Sequence, residues 1–82
     1  MNTPNQNEEF AKENLENLTN RELQILNTAS EGLCNKDIAN QLGIAESTVK
    51  RHRKNTYKKF NISSDHFSIR KLLRWFYDLK NE

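Results

Sequence analysis

The sequence has one cysteine, Cys34, so it can form neither an internal disulfide nor a thiol-rich metal site, and a reducing cytoplasmic setting is expected. It has no apolar run near the ~20 residues needed to cross a bilayer, which excludes a membrane-spanning helix. The first residues, Met1 to Asn7, have no basic start and no apolar stretch, so no secretory signal is expected. Hydrophobic residues are scarce, at 34% of 82. Usual usage is ~45–50%, counting glycine, so the core must be thin unless helices pack efficiently or copies associate. Internal repeats, low-complexity tracts and β-alternating segments are all missing. No Cys–His or Ser–His arrangement, Gly-rich phosphate loop or metal spacing is present, which argues against an enzyme and against a bound cofactor.

Charge is present, but unevenly. Residues 1–17 carry Glu8, Glu9, Glu13 and Glu16 against Lys12, net −3, and the remainder is net +5. Half of the basic residues of that remainder fall in ten positions: Lys50, Arg51, Arg53, Lys54, Lys58 and Lys59, with no acid among them. A block of one sign is either a solvated face or an anion-seeking one.

Residues 1–17 have only Phe10, Ala11 and Leu15 as evident apolar anchors, and are expected to be a mobile arm or a loosely docked extra helix. The domain is expected over residues 18–82 as four helices. Thr19 and Glu22 form a capping box for the first, flanked by Leu18 and Leu23, and Gly32 ends it. The second begins near Cys34 or Asn35, buries Ile38, Ala39 and Leu42, and stops at Gly43. The third runs from about Ala45–Ser47 to Phe60, with Asn61 as its C-terminal cap. Ser64 caps the fourth, which runs to about Leu79. The second and third helices, joined by Gly43-Ile44-Ala45, have the layout of a helix-turn-helix, and the positive block lies on the second member of the pair.

At ~100° per residue from Lys50, Arg51 falls near 100°, Lys54 near 40° and Asn55 near 140°, whereas Val49 and Phe60 fall near 260° and 280°. One side is chemically suited to base edges, the other to a core. Lys50 and Arg51 suit guanine O6 and N7, and Asn55 suits adenine or a phosphate. Ser47, Thr48, His52, Arg53, Lys58 and Lys59 are expected at the DNA backbone, with Asn35 and Lys36 where a helix start offers free amides to phosphate. His52 and His66 are too far apart for a metal pair. Cys34 reads as a weak helix cap, and Glu22 and Asp37 as helix-end acids.

These stretches resemble the LuxR/GerE-type helix-turn-helix of bacterial transcription regulators. The likeness runs through Leu18-Thr19-x-Arg21-Glu22-x-x-Ile25-Leu26, then Gly32-x-x-Asn35-Lys36-Asp37-Ile38-Ala39-x-x-Leu42-x-Ile44, then Thr48-Val49-Lys50-x-His52 and Tyr57-x-Lys59-Phe60-x-Ile62. It implies an all-α fold, double-stranded DNA as partner, base reading by Lys50, Arg51 and Lys54, and a homodimer through the fourth helix. RNA polymerase or another regulator is a further possible partner. The departures carry expectations of their own. Ala45 replaces a Ser cap, so the third helix should start at Ser47 or fray. Thr56 should thin the core. Asp65 stands where Arg is usual, which should leave Glu22 without that partner.

Ile69, Leu72, Leu73, Trp75, Phe76 and Leu79 span an arc of roughly 160° on the fourth helix, broader than one small core should cover. A second copy, the arm through Phe10 and Leu15, or both together bury part of it. Met1 favours a complete, free-standing chain; the alternative is a fragment whose sensing half is missing. The competing reading is a protein-interaction module of the same fold, an antagonist or co-regulator that pairs through Leu73, Trp75 and Phe76.

Overall fold

The computed structural model describes residues 10–82, which form five helices and no strand: α1 (Lys12–Glu16), α2 (Asn20–Ser30), α3 (Asn35–Leu42), α4 (Glu46–Lys59) and α5 (His66–Lys80). The all-α expectation holds. The expected first to fourth helices are α2 to α5, and α1 precedes them. Residues 1–9 of the acidic arm, Glu8 and Glu9 included, lie outside the described residues.

Local signals set the helix ends. The Thr19 hydroxyl accepts the Glu22 amide at 3.0 Å, and the Glu22 carboxylate accepts the Thr19 amide at 3.0 Å, which is the capping box expected from the sequence. Three helices then close in one manner, each with a left-handed residue just past the end: Gly32 at φ 94° after α2, Gly43 at φ 68° after α3 and Asn61 at φ 59° after α4. The amide of the residue after each left-handed one reaches back to a carbonyl of the last turn: Leu33 to Thr28, Ile44 to Ala39 and Ile62 to Tyr57.

The start of α4 falls within the expected Ala45–Ser47 range without the delay to Ser47, and the cap of α5 differs from the expected one. α4 begins at Glu46 despite Ala45, whose side chain makes no cap bond, because the Thr48 and Val49 amides bond the Ala45 carbonyl at 3.0 and 3.2 Å. α5 is capped by Asp65 in place of Ser64. The Asp65 carboxylate accepts the Ser68 amide at 2.8 Å and the Ser63 and Ser68 hydroxyls at 2.7 and 3.0 Å. An ionised acid at a helix start also meets the positive end of the helix dipole, which a serine hydroxyl cannot exploit.

The core has two parts that meet at α2. Ile25 and Ala29 of α2 pack with Ile38, Ala39 and Val49, which seats α3 and α4 on α2. Leu26 packs with Tyr57, Phe60, Leu72, Trp75, Phe76 and Phe10, and half-buried Leu73 touches both groups. Phe10 is buried, with ring centroids 6.5 Å from Phe60 and 5.8 Å from Trp75. The arm is therefore docked from Phe10 onward, and of the two coverings expected for the broad stripe of α5, the arm supplies one. Thr56 does not leave a polar hole: its hydroxyl donates to the His52 carbonyl at 2.8 Å.

Candidate nucleic-acid interface

The side of α4 carrying Val49, Thr56, Tyr57 and Phe60 is buried, which turns the opposite side outward. Lys50, Arg51, Lys54 and Asn55 are all exposed on that outer side, as are Ser47 and Lys58. Among the described residues, Arg51, Lys54, Lys58 and Lys36 form no ion pair. Lys50 has only a loose contact, 3.9 Å from Glu46 with both side chains exposed, and such pairs contribute little. The ridge thus keeps its positive charge unbalanced by neighbouring acids. Thr48 and His52 are half-buried at its edge, and Lys36 is exposed on the first turn of α3.

Three residues of the expected phosphate-facing set are engaged inside the molecule. The Arg53 Nε donates to the Tyr57 hydroxyl at 2.7 Å and its Nη1 to the Asn35 Oδ1 at 2.8 Å. Burial pushes the Tyr57 hydroxyl above its usual pKa, and the Arg53 charge and hydrogen bond oppose that rise. Lys59 Nζ sits 2.6 Å from Glu22 Oε1 and donates to the Asn17 carbonyl at 3.0 Å. Glu22, 4% exposed, is therefore not left alone by Asp65: Lys59 takes the partner's place. Burial alone would raise the Glu22 carboxyl, but the bonds from Lys59 and Thr19 outweigh it and hold the group below its ordinary value. The sequence signal for Lys59 was weak, because its partner lies 37 positions away.

Cys34 gives α3 no side-chain cap; its Sγ donates to Asp37 Oδ2 at 3.3 Å. Of the six residues expected at a dimer interface, Leu72, Trp75 and Phe76 are buried within the chain's own core, while Ile69, Leu73 and Leu79 are half-buried. The apolar surface that α5 leaves outward was missed by the apolar-stripe argument: Phe67 is 72% exposed and Tyr77 43%. They border a shallow groove with Ala29, Gly32, Leu73 and Arg74. No described helix is long and apolar enough to cross a membrane.

A short helix pair seated on α2, with its second helix cationic on the outer side, has the layout of a helix-turn-helix. The chain belongs to the GerE family, the bacterial regulatory proteins of the luxR family, whose pattern matches residues 16–72. Among curated relatives, the nitrate/nitrite response regulator protein NarP of Escherichia coli is 49% identical over 47 residues, 57% of this chain and 22% of that protein. The response regulator protein TodT of Pseudomonas putida is 47% identical over 53 residues, 65% of this chain and 23% of TodT. The uncharacterized response regulatory protein YgeK of Escherichia coli is 44% identical over 57 residues, 70% of this chain and 39% of YgeK. The chain spans under a quarter of the length of NarP and TodT. No solved structure matches.

Proposed function

We propose that this chain binds double-stranded DNA as a transcription regulator, with the N-terminal half of α4 in the major groove. The observation that carries the reading is the exposed strip of Lys50, Arg51, Lys54 and Asn55, whose cations are not balanced by strong ion pairs among the described residues. A major groove admits one helix, and the lysine, arginine and asparagine side chains match guanine and adenine edges. Lys36, Ser47, Thr48, His52 and Lys58 surround the strip and face phosphates, which supply affinity without reading sequence.

The second part of the proposal is a two-fold pair through the outward face of α5, around Phe67, Leu73 and Tyr77. It would set two half-sites about one helical turn, ~10 bp, apart. Selection of bound duplexes from random oligonucleotides, followed by anisotropy titrations over a range of salt, tests both parts. Arg51→Ala is expected to lose ~1–3 kcal/mol and relax preference at one base position. Lys58→Ala should weaken all sequences alike and lower the salt slope by ~1. If the wild-type chain leaves duplex DNA unbound even in dilute buffer, the reading fails. Two half-sites at another spacing would reject the pairing alone.

A further inference from the structure

We infer that Arg53 is a positioning residue that locks the phosphate-facing start of α3 at a fixed offset from the base-facing strip of α4, without holding a phosphate itself. The inference rests on the DNA-binding reading above and assigns one residue a role within it. Among the described residues, Arg53 to Asn35 is the only side-chain hydrogen bond between α3 and α4. The two helices also share an apolar cluster: Ile38, Ala39 and Val49, with Leu42 and Ile44 beside them. Apolar burial is non-directional, so it holds two short helices together while allowing small slides and rotations. A planar guanidinium is directional. Here its Nε donates to the Tyr57 hydroxyl on the same helix, its Cζ lies 5.7 Å from the Tyr57 ring centroid, and its Nη1 donates to Asn35 Oδ1.

Asn35 is the first residue of α3, and Lys36 follows it into solvent. Fixing Asn35 therefore fixes where Lys36 and the α3 amides stand relative to Lys50 and Arg51. Swinging Arg53 out to a phosphate would break both of its bonds and lift it from its seat beside Ile25, Leu26 and Ala29. Misplacement of the two helices by a fraction of a turn would leave phosphate and base contacts unable to form together. That loss falls on the preferred site, where both are needed, more than on random duplex.

The test is a titration of the selected site and of random duplex, over salt, with Arg53→Met, Arg53→Lys, Asn35→Ala and the Arg53→Met/Asn35→Ala double variant. Arg53→Met should lower the ratio of specific to random affinity tenfold or more, with the salt slope unchanged. Arg53→Lys should not restore the ratio, because an ammonium lacks the fork. The double variant should lose no more than the worse single variant. A slope reduced by ~0.9, with equal loss on all sequences, would make Arg53 a phosphate contact and overturn the inference. Restoration by lysine, or losses that simply add, would overturn it too. Helix content by circular dichroism shows that each variant is folded. Should Arg53→Met unfold, Tyr57→Phe decides: a lowered ratio supports the lock and an unchanged ratio removes it. A wild-type chain with no duplex preference would instead strike the DNA reading itself.

Discussion

Glu22 shows how one carboxylate can serve two structures. It caps α2 through Thr19 and ties the end of α4 to that cap through Lys59. Removing Lys59 leaves a nearly buried acid without its main donor, so Lys59→Met should lose about 1–3 kcal/mol in urea unfolding. If the lysine is engaged inward, the same variant should keep the wild-type DNA salt slope, unlike Lys58→Ala. A folded pKa below the unfolded one gives stability that is complete above the ordinary value of 4.5 and is lost as pH falls through the folded value. Asp65 adds to this in the same direction: the Ser68 amide and the Ser63 and Ser68 hydroxyls hold it down to about 2 from 3.8. Stability should therefore be level above about pH 5 and decline below it. Glu22→Gln should be less stable at neutral pH and show a shallower acid decline; an identical decline would deny Glu22 this part. The Thr19–Glu22 box could be read from four consecutive letters, because both partners lie within one turn. The Lys59 bond could not, because tertiary packing alone brings residue 59 to residue 22.

Elements are bounded by the same local chemistry. Gly43 sits at φ 68° with open space where a Cβ would be, so Gly43→Ala meets backbone strain and no clash. About 1 kcal/mol should be lost in thermal or urea unfolding, with some loosening of the turn between α3 and α4. The stops at Gly32, Gly43 and Asn61 were legible because few residue types accept a left-handed backbone. The start of α5 was less so: Ser64 and Asp65 are adjacent and both residue types cap helices, and Asp65 is the one that gathers the Ser68 amide with the Ser63 and Ser68 hydroxyls. Arg53 illustrates a signal present but outweighed by charge. At ~100° per residue from Lys50 it falls near 300°, beside Phe60 and far from Arg51, on the inward side. The position, more than the charge, foretold its bonds.

At the scale of the whole molecule, a thin composition is offset by drawing on both flanks of the matched stretch. Phe10 precedes it, Trp75 and Phe76 follow it, and all three converge on Phe60 and its neighbours. Phe10→Ala should lose about 3–5 kcal/mol, a large part of what holds so small a fold, and the urea midpoint would register it. The pair proposed through α5 makes a separate forecast. Tyr77→Asp should leave the monomer folded, since that side chain is exposed, and sedimentation at rising concentration should show the variant staying monomeric while the wild type associates. The breadth of the α5 stripe was readable from spacing, yet what covers it was not: three aromatic rings from distant positions had to be brought together first.

Transplantation shows what that convergence means. Residues 16–72, lifted out and joined behind an unrelated sensory module, would carry α4 but leave Phe60 with neither Phe10 nor Trp75 against it. Such a chimera would be a sticky, half-melted domain, and the swap points that preserve a sound one lie upstream of Phe10 and beyond Phe76.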